Sequence, residues 1–226
     1  MASLNDVNTR VGNLENNCIK TDSNAQLKSL ELYFSTPFID FHYNNSPIDY
    51  TSRIIERSAG ALLCEGTFAA SQIFNAVWND YAEFYERGEH TEPGDIIGLN
   101  PNSNKEEYIK ATNPSMCVGV HSDEYGHLIG GEQVPEGKDF VEYNMDKFIP
   151  VGLVGRVKTK IVGPISIGDK IVLSNIPGVG RKFIKGIDDS ENIIGMAVEN
   201  KTDESISRIR AHLRMGGGTN PQFYWI

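Results

Sequence analysis

Leu4, Val7, Val11, Leu14 and Cys18 recur at intervals of three and four residues. That is the a/d spacing of a coiled-coil seam, with Leu4, Val11 and Cys18 at a and Val7 and Leu14 at d. Arg10 then falls at g and Glu15 at the following e, the opposite charges that parallel helices exchange. The remaining positions are mostly Asn, Asp, Thr, Arg and Gly, so the apolar stripe is a narrow seam rather than the wide face of a helix packed in a globular domain. Two heptads do not hold by themselves, and Gly12 weakens them further. The pattern predicts a short coiled coil over residues 1–20 that sets register for chains joined elsewhere.

The period then drops to two. Leu30, Leu32 and Phe34 alternate with Glu31 and Tyr33; beyond Thr36-Pro37, Ile39, Phe41 and Tyr43 alternate with Asp40 and His42. These read as two strands, followed by a turn at Asn44-Asn45-Ser46-Pro47 and two further strands at 50–56 and 61–64. A segment of about fifty residues cannot close a core of its own. Residues 21–75 are therefore expected to form a β-rich shaft in which several chains share one core.

From residue 76 the chain repeats itself. Glu92-Pro-Gly-Asp-Ile-Ile-Gly-Leu99 matches Ser166-Ile-Gly-Asp-Lys-Ile-Val-Leu173, a Gly-Asp turn feeding an apolar strand in each case; Val118-Gly-Val120 then matches Ile194-Gly-Met196. The offsets, 74 and 76 residues, are longer than a solenoid period and fit an internal duplication. Between the copies, residues 148–155 and 156–162 read as a strand pair, the second with Val157, Thr159 and Ile161 alternating against Arg156, Lys158 and Lys160. The expected fold class is mainly β: short N-terminal coiled coil, β shaft, and a C-terminal β barrel or sandwich over 76–226.

Composition narrows the function. With 226 residues, 39% apolar residues and dispersed Gly 22 and Pro 10, the chain suits short strands and tight turns. A net charge of −9 disfavours a sequence-independent grip on nucleic acid and an anionic membrane surface. No apolar run approaches a bilayer span, and the N-terminus lacks the basic and apolar regions of a signal peptide. Cys18, Cys64 and Cys117 have neither disulfide-framework nor zinc spacing, so reduced thiols are expected.

The run Tyr33-Phe34-Ser35-Thr36-Pro37-Phe38-Ile39-Asp40-Phe41-His42-Tyr43-Asn44-Asn45-Ser46, continuing through Asp49 to Glu56, resembles a module of phage tail fibres. The resemblance implies a homotrimeric virion protein, made in the bacterial cytoplasm, that meets other baseplate, tail or neck proteins and a host surface glycan or protein. Some such fibres carry an axial metal held by an HxH pair; His42 stands without that spacing, and no metal or cofactor is expected.

One tract carries chemistry, Phe74-Asn-Ala-Val-Trp-Asn-Asp-Tyr-Ala-Glu-Phe-Tyr-Glu86. On a helix, Asp80 and Glu83 share a face, and Trp78, Tyr81 and Tyr85 can exclude water and raise a carboxyl pKa for acid/base work; the plainer reading is a solvated acidic edge on a packed segment. Asp80-Tyr81-Ala82-Glu83, followed by Pro93-Gly94-Asp95, resembles the start of the C-terminal intramolecular chaperone domains of phage neck appendages and tail spikes, also classed as G2 peptidases. The resemblance extends over 76–226, including Pro164 to Asp169 and Pro177-Gly178. It implies that Asn79, Asp80 and Glu83 occupy an autocleavage site, cut between 79 and 80. The family places a hydroxyl residue before the Asp; Asn79 offers no hydroxyl nucleophile, so an intact chain is expected.

Two other clusters read as non-catalytic. His121-Ser-Asp-Glu-Tyr-Gly-His127 lacks a metal-ligand spacing and is expected to be a polar hairpin loop. Gly178-Val-Gly-Arg-Lys182 is a turn and not a phosphate-binding loop. The end of the chain, Met215-Gly-Gly-Gly-Thr-Asn-Pro-Gln-Phe-Tyr-Trp-Ile226, carries an apolar tip suited to a contact, with docking on a neighbouring chain of the oligomer expected ahead of a glycan or protein receptor. Three functions follow: a structural fibre or appendage protein used in host adsorption, a self-cleaving chaperone peptidase, and a carbohydrate-binding module.

Overall fold

The structure is a computed structural model that describes residues 31–58, 60–68, 79–135 and 138–213. The expected coiled coil with its seam residues, Trp78 and the apolar tip at 215–226 lie outside the described residues. The chain divides into two compact units, one running to Glu56 and including Leu62–Gly66, the other holding nearly all of the remainder.

The first unit is a three-stranded sheet ordered β1 (Phe38–Phe41), β2 (Ser52–Ser58), β3 (Ala61–Glu65). Three of the four strands read from the alternation are present. Residues 31–34, expected as another, form no strand: alternation specifies a pleat, but a strand also needs a neighbour to bond. β1 and β2 pair antiparallel with Asp40 opposite Arg53. The guanidinium forks onto that carboxylate, with Nη2 2.7 Å from Oδ2, and lies over the Phe38 and Tyr50 rings at 4.1 and 3.9 Å. The connecting turn places Asn44 and Asn45 at positive φ, where the short amide side chain is tolerated.

The second unit is built from β4 (Asp80–Glu86), β5 (Ile96–Leu99), β6 (Tyr108–Lys110), β7 (Cys117–His121), β8 (His127–Gly130), α1 (Phe140–Met145), β9 (Phe148–Val162), β10 (Lys170–Leu173), β11 (Gly180–Lys182), β12 (Gly195–Ala197) and β13 (Ile206–Leu213). Its sheet runs β11-β10-β12-β13-β9-β7-β5-β6. β11 also returns to β9 through Gly180 and Ile161, so β9, β13, β12, β10 and β11 close a small barrel. Of the two architectures the sequence allowed, this is the barrel. β4 lies along the first half of β9, and β8 lies parallel to β4.

Residues 148–162, expected as a strand pair, are one continuous strand of 15 residues. Its first half pairs with β4 and β7 and its second half with β13. Gly155, at φ 112, sits where β4 and β13 meet it, opposite both Asp80 and Leu213. The predicted inward set, Val157, Thr159 and Ile161, is buried in the barrel, where Ile96, Val120, Ile165, Ile171, Leu173, Ala197, Ile209, Ala211 and Leu213 complete the core. The short helix α1 has no apolar repeat to announce it; its signal is Asp139, whose carboxylate accepts from the Val141 and Glu142 amides as an N-cap.

The two matched stretches have the same local structure. Gly94 (φ 94) and Gly168 (φ 89) occupy the left-handed position of a tight turn. Asp95 Oδ2 accepts from the Glu92 amide at 2.8 Å, and Asp169 Oδ2 from the Ser166 amide at 2.9 Å. The His121 amide donates to the Asp95 carbonyl at 2.8 Å, as the Ala197 amide does to Asp169 at 2.9 Å. The register agrees as well: Ile96 pairs with Val120 as Lys170 pairs with Met196. Each copy then has a hairpin, and a one-turn 3-10 helix capped by Asn113 or Asp189 leads into β7 or β12. The outer strands of the two copies, β9 and β13, pair antiparallel with each other.

Candidate functional site

Asp80 opens β4 and faces inward with Ala82 and Phe84, while Tyr81, Glu83 and Tyr85 take the other face. The expectation that Asp80 and Glu83 act on one face is corrected here, because it assumed a helix. On a strand an offset of three puts side chains on opposite faces, and Glu83 interacts with Tyr85 instead. Tyr81 does not cover Asp80 either: it is 59% exposed and stacks on the His127 ring, centroids 4.9 Å apart.

What buries Asp80 comes from far along the chain. Its carboxylate lies against the backbone of β9 at Gly152, where an added Cβ would fall 2.4 Å from Oδ2 and 2.8 Å from Val157. A Cβ on Gly155 would meet the Asn79 carbonyl at 2.4 Å and the Asp80 Cα at 2.7 Å. Two glycines three residues apart in β9 therefore make the space into which the 79–80 peptide packs. Ser122 Oγ donates to Asp80 Oδ1 at 3.3 Å, and Oδ2 has no partner among the described residues. Burial pushes the carboxyl up to about 6, against the opposing effect of the Ser122 hydrogen bond. A carboxyl held near neutrality in a dry site can give or take a proton.

The peptide next to it is held at both ends. The Asn79 carbonyl accepts from the Arg156 amide at 2.9 Å, and the Asp80 carbonyl accepts from the Gly126 amide at 3.0 Å. Asn79 Nδ2 donates to the Glu124 carbonyl at 2.6 Å, which commits the side-chain amide away from its own C-terminal peptide bond. The loop that supplies the Ser122, Glu124 and Gly126 contacts, residues 122–126, is anchored by ion pairs from Asp123 to Arg208 and from Glu124 to Lys158, while the Arg156 amide belongs to β9. It was expected to be the tip of a hairpin. Instead β8 leaves β7 altogether and bonds to β4, so the loop is a crossover that straps over the start of β4.

His121 points away from this site. It is 3% exposed, its Nδ1 lies 3.0 Å from Thr91 Oγ1, and Nε2 is unpartnered among the described residues. Burial, aided by the Arg87 charge, pushes it down to about 4, so the ring is neutral. Ser122 and Asp80 thus have no imidazole between them, and the geometry lacks a hydroxyl–imidazole–carboxylate relay. His42 is exposed at the end of β1, and among the described residues no three His, Cys, Asp or Glu side chains cluster as a metal needs. Cys64 and Cys117 are free thiols.

Sequence reasoning found Asn79 and Asp80 but missed Ser122, Gly152 and Gly155. The legible signal for the glycines was the Val-Gly-Leu-Val-Gly run inside a strand pattern, since glycine within a strand marks close backbone approach. Nothing local marked Ser122.

No family model matches the chain, and no curated protein matches it. Among solved structures the chain is similar to the crystal structure of the pre-mature bacteriophage phi29 gene product 12, with 16% identity and a TM-score of 0.43. The match covers 74% of this chain and 24% of that one, so this chain spans about a quarter of its neighbour's length.

Proposed function

We propose that this chain is a structural fibre or appendage protein of a phage or phage-tail-like particle, assembled as a parallel homotrimer and located on the virion. The observation that carries the reading is the state of the first unit. Among its described residues the one buried apolar side chain is Ile55, whereas Tyr33 (98% exposed), Phe34 (74%), Phe38, Ile39, Phe41, Tyr43 and Leu62 all face solvent. A single chain that leaves so many aromatic and aliphatic groups uncovered presents a surface that other chains cover. The fibre-like wording of residues 33–56 and the a/d seam of residues 4–18 agree with that occupant being further copies of the same chain. No helix among the described residues is long and apolar enough to cross a membrane.

Size-exclusion chromatography with light scattering tests the reading. The expected mass is three times the chain mass of 25.1 kDa; the mass of one chain at micromolar concentration overturns it. Replacing Phe34, Phe38 and Phe41 together by Ser is expected to shift the peak towards the monomer while leaving the thermal transition of the second unit in place, since that unit has its own core.

A second reading, self-cleavage between Asn79 and Asp80, draws on the buried Asp80 carboxyl and on the Arg156 amide that polarises the Asn79 carbonyl. The missing hydroxyl at position 79 and the tethered Asn79 amide favour the intact chain.

A further inference from the structure

A groove of about 250 Å³ opens where the two repeats of the second unit meet. Cys117, Val118 and Leu153 form one wall and Ile193, Ile194 and Leu213 the other. The walls are counterparts: the 76-residue offset carries Cys117 onto Ile193 and Val118 onto Ile194, and the pairings Val120–Gly152 and Met196–His212 carry Leu153 onto Leu213. The lips are polar, with Ser115 on one side and Glu191 on the other.

We propose that this groove is the docking site of the chain's own C-terminal segment, Phe223-Tyr224-Trp225-Ile226, bound in cis. Leu213, the last described residue, lines the groove, so the chain that follows emerges at the site itself. The nine residues from 214 to 222 reach at most ~30 Å when extended, enough for the aromatic cluster to turn back onto either wall. Residues 215–226 carry no charged side chain, so none must be desolvated against Glu191. The groove has room for a large aromatic side chain, and Trp and Tyr combine an apolar body with a polar tip suited to a lining that mixes Val118, Leu153 and Ile194 with Ser115, Glu191 and Asn192. Tethering beside the site gives an effective concentration of the order of millimolar, so even a weak contact is occupied. This inference concerns a surface of the second unit alone and does not depend on trimer assembly.

Cys117 reports on occupancy. In a Cys18→Ser, Cys64→Ser background of the full chain it is the one thiol, and its rate of alkylation by iodoacetamide is measured against the same chain ended at Arg214. Docking predicts that truncation speeds alkylation about two- to tenfold, the protection a millimolar tether gives to a site of sub-millimolar affinity. A synthetic peptide of residues 219–226 added to the truncated chain is expected to restore the slow rate. The Phe223→Ala, Trp225→Ala double variant is expected to behave like the truncation, and serves in its place should the shortened chain lose its thermal transition. Finally, Trp225→Cys in the same background is expected to form a disulfide with Cys117 under mild oxidation, within one chain on a denaturing gel. Unchanged alkylation rates overturn the proposal, and so does a disulfide that joins two chains, which would assign the groove to a neighbour's tail.

Discussion

The two repeats of the second unit begin from the same turn and diverge in what they bury. Residues 92–122 and 166–198 share the Gly-Asp turn, the strand register and the capped 3-10 turn. Where the first copy has His121 and Ser122, the second has Ala197 and Val198. Asp95, in the first copy, is 2% exposed and its carboxylate meets Lys160 Nζ at 2.7 Å; Asp169, in the second, meets Lys182 at the same distance with both side chains far more open. The first copy also packs against β4, which brings Asp80 to Ser122. One backbone plan thus supports a polar, desolvated site in one copy and a plain apolar wall in the other. The difference lies in what packs on the outside, since the hydrogen-bonded frame is common to both.

The largest way to break this comparison is through its shared glycine. A Cβ at Gly119 would fall 2.4 Å from the Gly152 carbonyl and 2.6 Å from Val151, whereas at Gly195 the nearest atom, the His212 carbonyl, is 2.8 Å away and the next is 3.2 Å away. Gly119→Ala is expected to destabilise by about 3 kcal/mol and Gly195→Ala by about 1 kcal/mol, read as urea midpoints followed by near-ultraviolet circular dichroism. Equal losses would mean that the two copies are equally tight and that the comparison fails at its frame.

The turn ion pairs come next. Lys160→Met leaves the Asp95 carboxylate buried with its main cation removed and is expected to lose about 2 kcal/mol. Lys182→Met unpairs a partly exposed carboxylate that keeps its bond from the Ser166 amide, and is expected to change stability by about 0.5 kcal/mol or less. Thermal unfolding of the two variants side by side measures the difference that burial makes to one and the same turn.

The pH dependence separates the two polar residues of the first copy. The unfolded chain takes up the His121 proton from near 6.5 downward but the folded chain only near 4, so this group lowers stability as pH falls through that window. Asp80 works the other way: folded it holds its proton to about 6, unfolded only to 3.8, so stability falls as pH rises across that range. The two slopes oppose each other between about pH 4 and 6. His121→Ala, which installs the second copy's residue, is expected to leave a stability that falls with rising pH there. Asp80→Asn is expected to leave one that rises, with each slope amounting to about 2 kcal/mol over the window. Denaturant titrations at pH 4, 5, 6 and 7 read both, and a variant whose profile parallels the parent removes its residue from this scheme.

The smallest effect on stability concerns position 79. Asn79→Ser gives up the Nδ2 hydrogen bond to the Glu124 carbonyl, an expected cost of about 0.5 kcal/mol, while supplying the hydroxyl next to the Asp80 carboxyl. Intact mass measurement then decides between the two functional readings. The parent is expected to remain one chain; fragments 1–79 and 80–226 from the parent would establish the peptidase reading, and an uncut Ser variant would leave the tract a packing element alone.

Much of this protein was written in local pattern. The Gly-Asp turns, the alternation of Val157, Thr159 and Ile161 against their basic neighbours, and the matched Gly-centred strands were legible because each depends on a residue and its immediate neighbours: a glycine where φ is positive, an inward methyl at every second place. The tandem offset was legible for the same reason, as one short pattern written twice. Asp80 was legible as a candidate, but its setting was not. A tract rich in Tyr, Ala and Glu carries no local mark that separates strand from helix, so the placing of Asp80 and Glu83 on opposite faces could not be read. Tertiary pairing decided that β9 is a single strand, that Gly180 meets Ile161 to close the barrel, and that β8 leaves β7 for β4. It also decided that the carboxyl of Asp80 loses its water to Gly152, Val157 and Ser122, more than forty residues away. Desolvation is set by whatever fills the surrounding volume, and neighbours in that volume are brought together only by long-range strand pairing, for which a period of two gives the pleat but never the partner.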